Sequence, residues 1–188
     1  MNKKAFTLIE LMISISIIVL LTIVVYAPYN FYANKARLKI AWKEIAQTIY
    51  EARNMAIYWL TNSYTWSNSS IWVYFDNSSL NKNKISVYSY KYDYSWKKDD
   101  FSDPSVKLLK EVSLQKWIQI DNVEWKDKFL FFFQAISGSW SFYYDDSWNL
   151  KDFAWKEIKI NLSYKWATQN ILKNTVTYYT NTNIIDYK

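Results

Sequence analysis

One acidic residue stands inside a long apolar run near the start of the chain. The run covers residues 8–27, and Glu10 is its only charged residue. As a helix these 20 residues would extend about 30 Å, which matches the hydrocarbon thickness of a bilayer. A carboxylate in that environment costs about 3 kcal/mol unless a cation pairs with it, so it marks function by default. The chemistry that Glu10 offers is therefore charge pairing.

The composition excludes several classes of catalytic and binding site. The chain has 188 residues, of which 51% are hydrophobic, and its formal net charge is +6. The absence of Cys excludes disulfides, thiolate zinc sites and cysteine nucleophiles. The absence of His removes the commonest general base and most transition-metal sites. The sequence shows no nucleophile–base pair and no phosphate-binding loop, so we expect neither an enzyme nor a cofactor.

A basic pair and a small residue precede the apolar run. Lys3 and Lys4 are followed by Ala5 and Phe6, and Glu10 lies four residues after Phe6. This pattern resembles the class III signal of type IV pilins and of the pseudopilins of type II secretion. The resemblance implies that a prepilin peptidase cuts between Ala5 and Phe6 and then methylates the new amino group of Phe6. Glu10 would become the fifth mature residue, where the family carries a carboxylate, although the family prefers Gly at the position of Ala5.

Two other interpretations of the N-terminus stay open. A secretory signal would use the two lysines as its basic region and would be cut after Ala27. A plain membrane anchor would keep the same lysines in the cytoplasm. Glu10 counts against both, because it lies where the apolar core of a signal begins and is costly in a simple anchor. The resemblance accounts for it, since the carboxylate would pair with the Phe6 amine of its own or a neighbouring subunit.

A single long helix must position this carboxylate. We expect Pro28 to end or kink the apolar segment. Beyond it, apolar residues recur at three- and four-residue steps while charged residues lie off that stripe, which predicts an amphipathic continuation. The predicted helix runs from Phe6 to about Tyr58. Its apolar stripe comprises Leu38, Ala41, Ile45, Ile49, Ala52, Ala56 and Leu60.

The rest of the chain consists of polar loops and short strand patterns. Residues 129–136 are almost all apolar, so we expect a central strand covered on both faces, whereas residues 106–114 fit either a strand or a helix. The predicted class is α+β, a long N-terminal helix packed on an antiparallel β-sheet head, as in pilins. The other predicted strands are 71–75, 85–92, 117–120, 141–144, 150–153, 158–164 and 176–180. We expect residues 176–180 to be the last strand of the chain. The predicted domains are a leader (1–5), a transmembrane and filament-core helix (6–28), its amphipathic continuation (29–60) and a globular head (61–188).

The junction between helix and sheet narrows the resemblance. Ala52 and Arg53 near the helix end, followed by the strand pattern at residues 71–76, resemble the H-type minor pseudopilins and related minor pilins. The predicted hairpin from Phe142 to Ile160 fits the same subgroup. We therefore expect a minor subunit rather than a major one.

The resemblance also implies partners and a location. The partners would be other pilin or pseudopilin subunits, the prepilin peptidase and the cytoplasmic membrane, with the head outside until the subunit enters a cell-surface filament. Some relatives bind DNA through basic residues of the head, by phosphate contacts that weaken with salt, although a solvated basic face is the simpler interpretation. The lysines that could make such contacts are Lys156, Lys159, Lys165 and Lys173. Four residues could ligate Ca²⁺, but we expect a surface hairpin turn and no metal at Asp145, Asp146, Asn149 and Asp152.

The chain has eleven Trp and one Gly, which reverses ordinary usage. Several Trp lie where glycine is usual, such as Trp148 within the turn sequence DDSWN and Trp59 at the predicted helix end. One hypothesis is that these positions are glycines encoded by UGA in a variant genetic code. The alternative is a Trp-rich head that binds sugars by stacking. We assign no function to any Trp.

Overall fold

The computed structural model of the chain confirms the α+β class. In the described part of the chain, one long helix, α1 (Leu8–Tyr58), is followed by ten β-strands. The described residues are 7–58, 69–77, 82–91, 106–123, 128–134, 140–144, 150–152, 157–165, 173–179, 182 and 184–187. The strands are β1 (Ser69–Asp76), β2 (Lys84–Lys91), β3 (Val106–Ser113), β4 (Ile118–Val123), β5 (Lys128–Gln134), β6 (Trp140–Tyr144), β7 (Leu150–Asp152), β8 (Glu157–Tyr164), β9 (Lys173–Tyr179) and β10 (Ile184–Tyr187).

Helix α1 continues through Pro28, as the predicted helix from Phe6 to about Tyr58 requires, so of the two effects expected of this proline it does not end the helix. Proline removes one backbone hydrogen bond, but the apolar residues on both sides favour an unbroken helix. Three hydroxyl groups of the apolar segment donate back to the carbonyl four residues earlier, each at 2.8 Å, and so need no outside partner. These hydroxyls belong to Ser14, Ser16 and Thr22. The predicted end of the helix at Tyr58 is confirmed, whereas Phe6 lies outside the described residues.

The chain divides into two compact units, Met1–Ala36 and Arg37–Lys188. We call them the N-terminal unit and the C-terminal unit. In the N-terminal unit, the large apolar side chains from Leu8 to Tyr26 are each more than half exposed. The C-terminal unit contains the amphipathic part of α1 together with all the described strands.

The strands of the C-terminal unit form two antiparallel sheets. Sheet A has the order β3-β2-β1-β5-β6-β7, and sheet B has the order β10-β9-β8-β4. Residues 106–113 form strand β3, which resolves the choice between strand and helix, and β5 lies inside sheet A as predicted. The prediction that residues 176–180 form the final strand is wrong, because β10 follows and pairs with β9. Four residues are too few to show a periodic pattern, and so the sequence does not reveal β10.

The main core lies between α1 and the two sheets. The helix contributes the predicted apolar stripe, every member of which is buried except Leu60, which lies outside the described residues. Sheet A contributes the row Phe129, Phe131 and Phe133, and sheet B places the buried ring of Tyr178 against it, with ring centroids 6.2 Å from Phe131. On the other face of sheet A, Leu130 packs with buried aromatic residues in a second cluster. Both faces of β5 are therefore covered, as its continuous apolar sequence predicts.

In addition to the apolar core, three residues of α1 in the described part of the chain contact strands through polar or aromatic side chains. The Glu51 carboxylate forms an ion pair with the ammonium group of Lys110 in β3. The Trp42 ring stacks on Tyr187 of β10, with centroids 5.1 Å apart and planes inclined by 14°. These contacts fix the helix against one strand of each sheet. The third contact links the guanidinium group of Arg37 to the hydroxyl of Tyr164 in β8 at 3.5 Å.

Candidate assembly site at the helix N-terminus

Thr7 and Glu10 form a reciprocal pair of hydrogen bonds at the start of α1. The backbone N–H of Thr7 donates to Oε2 of Glu10 at 2.9 Å, and the Thr7 hydroxyl donates to the same oxygen at 2.8 Å. The backbone N–H of Glu10 approaches the Thr7 hydroxyl oxygen at 3.3 Å. This arrangement is a capping box, in which Thr7 is the N-cap and Glu10 the third helical residue.

The capping box directs the Glu10 carboxylate back toward the beginning of the chain. A carboxylate at this position also lies at the positive end of the helix dipole, which stabilises its negative charge. One residue of chain spans at most about 3.6 Å. Since Oε2 lies 2.9 Å from the Thr7 nitrogen, an amine created at Phe6 would lie within about 6.5 Å of that oxygen. The carboxylate is therefore in place to meet a new N-terminal cation.

The helix that carries this site presents apolar side chains to its surroundings on all sides. Leu8, Ile9, Leu11 and Met12 surround Glu10 in sequence, and each of them is exposed by more than half. In the part of the chain that the structure describes, α1 is the one helix long and apolar enough to cross a membrane. Because the side chains around Glu10 are apolar, they do not stabilise its negative charge. The cap, or a cation from elsewhere, must therefore offset the cost of that charge.

Four predicted residues of the signal, Lys3, Lys4, Ala5 and Phe6, lie outside the described residues. The sequence reasoning missed Thr7, although a signal for it was present. The spacing Thr-x-x-Glu ahead of an apolar run is the pattern of a capping box. Thr7 is therefore a supporting residue of the site.

The structure separates the lysines predicted as DNA contacts. Lys159 forms an ion pair with Glu157 at 2.6 Å, within β8. Lys165 directly follows β8, and Lys173 begins β9 opposite Ser163. Lys165 and Lys173 thus share one end of sheet B, whereas Lys156 lies outside the described residues.

Near these two lysines the fold places two basic residues that the sequence reasoning did not connect with them. Arg37 reaches Tyr164, the neighbour of Lys165. The backbone N–H of Lys165 donates to the carbonyl of residue 117 at 2.7 Å, which brings Lys116 to the same end. No pattern in the sequence reveals this grouping, because its members come from distant segments.

The residues considered for calcium binding are mostly beyond the described part of the chain. Asp145, Asp146 and Asn149 fall in the connection between β6 and β7, and Asp152 ends β7 opposite Phe142. The strands that flank this connection form the predicted hairpin. Within the described residues, no group of three acidic side chains gathers as metal ligands.

Comparison with known proteins identifies the N-terminal segment. Residues 1–26 match the family described as the prokaryotic N-terminal methylation motif. The chain matches no curated protein and no solved structure. The matched residues include the predicted cleavage position between Ala5 and Phe6, the capping pair of Thr7 and Glu10, and nearly all of the apolar run. The N-terminal segment is therefore similar to the class III signal of type IV pilin-like precursors.

Proposed function

We propose that this protein is a structural subunit, a minor pilin or pseudopilin, of a type IV pilus or of a type II secretion-like filament. The prepilin peptidase cuts it between Ala5 and Phe6 and methylates Phe6, and the subunit then assembles through α1. The observation that carries the proposal is Glu10, a carboxylate held toward the N-terminus within the matched methylation motif and surrounded by exposed apolar side chains.

The first step of the proposed mechanism is insertion of α1 into the cytoplasmic membrane. Lys3 and Lys4 hold the leader on the cytoplasmic side by the positive-inside rule, and the C-terminal unit lies outside. Before cleavage, the Glu10 carboxylate is satisfied by the two donors of Thr7. The hydrogen bonds of the capping box thus reduce the free-energy cost of placing the Glu10 carboxylate of the precursor in the membrane.

Cleavage changes the charge balance at this end of the helix. It removes both leader lysines and creates a cationic amine at Phe6, close to Glu10. The cap uses only Oε2 of the carboxylate. Pairing Glu10 with the amine of its own or of an adjacent subunit lowers the cost of both charges in an apolar surrounding. That gain favours the addition of a processed subunit to the base of a filament.

The outward face of α1 in the C-terminal unit supports a role in assembly. Ile40, Tyr50 and Tyr58 are exposed, at 46%, 39% and 65%. They occupy the side of the helix opposite the buried stripe of Leu38, Ala41 and Ile45, according to a period of 3.6 residues. Such a row of amphipathic and apolar side chains is suited to packing against helices of neighbouring subunits.

The assignment to the minor class is supported by the end of the helix and by one hairpin. Ala52 is fully buried, and Arg53 follows it on the last turns of α1. Strand β1 is then the first element of the sheets, and β6 pairs with β7. The proposal of a minor subunit rests on the resemblance of these features to the H-type minor pseudopilins.

The substitution Glu10→Ala tests the assembly role. We expect cleavage to remain intact, while incorporation into sheared filaments falls by at least about tenfold, because the neighbouring amine loses its partner. Mass spectrometry of the N-terminal peptide measures cleavage, and quantitative immunoblotting measures incorporation. Ser14→Ala is the matched control, because it removes another polar group of the same helix, one turn further on. Normal incorporation of Glu10→Ala would contradict the proposal.

Two alternative functions remain as competing proposals. The C-terminal unit has its own core, which also suits an uncleaved, membrane-anchored surface binding domain. An intact leader on the protein from its native cells would favour that alternative. The second is a DNA-uptake minor pilin that binds DNA through Lys165 and Lys173, and salt-dependent binding of duplex DNA to the processed subunit would favour it.

A further inference from the structure

One end of the C-terminal unit collects exposed basic side chains from four separate segments. We call this group the basic end, and it consists of Arg37, Lys116, Lys165 and Lys173. Arg37 belongs to α1, and the three lysines belong to three different strand ends. All four residues are exposed.

Backbone pairing holds three of these residues together. Ile118 begins β4 opposite Tyr164, the last residue of β8. The turn before β4 is closed by a hydrogen bond of 2.8 Å from the Ile118 N–H to the carbonyl of Gln115. The carbonyl of residue 117 then accepts the N–H of Lys165 at 2.7 Å, whatever side chain residue 117 carries. The turn that bears Lys116 is therefore fixed beside Lys165.

Arg37 is the member of the basic end that lies nearest in sequence to the apolar run. Its guanidinium group contacts the Tyr164 hydroxyl at 3.5 Å, one residue before Lys165. Arg37 lies ten positions after Ala27, the last residue of the apolar run. Even a fully extended chain keeps these two residues within about 36 Å of each other. The basic end thus cannot move far from a membrane that holds the apolar run.

The opposite end of sheet B differs in charge. There, Glu157 pairs with Tyr179 across the strands, and its carboxylate forms an ion pair with Lys159. Thr182 lies in the connection that follows Tyr179. The basic charge is consequently an attribute of the end near Arg37, and it does not extend along the whole sheet.

We infer that the basic end binds the anionic phospholipid headgroups of the membrane that holds α1, before the subunit enters a filament. Lysine and arginine side chains are long enough to reach phosphate groups while their stems stay on the protein surface. Basic residues next to a membrane segment are attracted to an anionic surface within about one Debye length. This inference depends on membrane insertion, which is part of the proposed function, but it does not depend on filament assembly.

The test uses the full-length chain in nanodiscs of neutral phosphatidylcholine, or of the same lipid with phosphatidylglycerol. Because the chain has no Cys, Gln115→Cys and Thr182→Cys each give a single site for a nitroxide label. A nickel-chelating lipid in the disc relaxes nearby labels. We expect relaxation of the label at 115 to increase about threefold in the anionic discs and to return to the neutral value at 1 M salt. The label at 182 should change little.

Charge variants separate the basic end from overall charge. Lys116→Gln combined with Lys165→Gln should abolish the increase at position 115. Lys107→Gln combined with Lys159→Gln is the matched control, since it removes the same charge from exposed sites at the opposite ends of β3 and β8. Circular dichroism and retention in the nanodisc confirm folding and insertion of each variant.

Three results would overturn the inference. The first is equal relaxation of the label at 115 in neutral and anionic discs, while the protein remains inserted. The second is an equal loss in both double variants. The third is salt-dependent binding of duplex DNA that Lys116→Gln combined with Lys165→Gln abolishes, while the increase at 115 in anionic discs persists in that variant, which would assign the basic end to nucleic acid. Failure of the protein to enter nanodiscs at all would instead contradict the proposed function.

Discussion

The carboxylate of Glu51 and the ammonium group of Lys110 form an ion pair that joins helix α1 to strand β3. The amide of Gln47 donates to the other carboxylate oxygen at 2.8 Å. These two hydrogen bonds lower the pKa of Glu51 below its ordinary value of 4.5, and the bond from Lys110 has the larger effect. The pair links an early segment of the chain to sheet A.

This ion pair predicts a pH dependence of stability. A carboxyl group whose pKa is lower in the folded state stabilises the fold above its unfolded pKa, and that contribution is lost as the pH falls through the folded pKa. Glu51→Gln should therefore cost about 0.5 kcal/mol at pH 7, since the pair is partly exposed. The difference from the parent protein should shrink below pH 4.5 and vanish in stronger acid. Denaturant unfolding in detergent at several pH values measures it, and a difference that stays constant with pH would contradict the assignment.

The capping box predicts different effects for two substitutions of one residue. Thr7→Val keeps the shape of the side chain but removes the hydroxyl that bonds Glu10, and loss of a cap costs about 1 kcal/mol. Thr7→Ser retains the hydroxyl. We expect Thr7→Val to reduce filament incorporation about threefold and Thr7→Ser to leave it near the parent level. Immunoblotting of sheared filaments gives the ratio, and equal incorporation of both variants would show that the cap has no part in assembly.

The aromatic core predicts a large loss of stability at one position. Phe131 is buried and contacts the rings of Phe129, Phe133 and Tyr178. Phe131→Ala should reduce the free energy of unfolding by about 4 kcal/mol, because it deletes apolar contacts and leaves a cavity. Leu108→Ala on β3 is the control, since that side chain is 50% exposed, and it should change stability by less than about 1 kcal/mol. Urea denaturation compares the two, and similar losses would be inconsistent with this core.

The last described strand predicts a stabilising role for Tyr187. Its ring stacks on Trp42, and its hydroxyl accepts a hydrogen bond from the amide of Asn174. Tyr187→Ala should cost about 2–4 kcal/mol, from lost burial and the aromatic contact together. Ile184→Ala in the same strand is the control, because Ile184 is 56% exposed. Equal effects of the two substitutions would show that β10 is held by its backbone alone.

The unusual Trp content predicts a measurable mass. If the hypothesis of UGA-encoded glycine holds, tryptic peptides of the protein from its native cells should carry glycine masses at positions 148 and 155. Peptides read as Trp at both positions would reject the hypothesis and restore the Trp-rich head. The same spectra report whether the N-terminal peptide begins at a methylated Phe6.

Much of the fold follows from periodicity in the sequence. The stripe from Leu38 to Ala56 repeats with the helical period, so the buried face of α1 could be named in advance. Strand β5 was recognisable because Phe131 faces the main core while Leu130 is buried on the other face. In both cases the pattern comes from neighbouring residues of a single helix or strand, whose burial repeats with the period of that element.

The division into two sheets could not be predicted in the same way. Strand β4 pairs with β8, and β1 pairs with β5, across long stretches of intervening chain. Which strands pair depends on the closure of those loops and on packing against α1, and no local pattern records it. The basic end could not be predicted from the sequence for the same reason. Lys116 and Lys165 become neighbours only through the pairing of Ile118 with Tyr164.

The stacking of Tyr187 on Trp42 has a consequence for the order of events during synthesis. Trp42 lies in α1 and is synthesised early, whereas β10 is made after every other described element. At about 5–20 residues per second, about 7 to 29 seconds separate the synthesis of Trp42 from that of Tyr187. Sheet B therefore gains its edge strand only after every other described strand has been synthesised. In the proposed membrane-anchored precursor, the C-terminal unit therefore completes its fold after the apolar run has been synthesised and is available to the lipid phase.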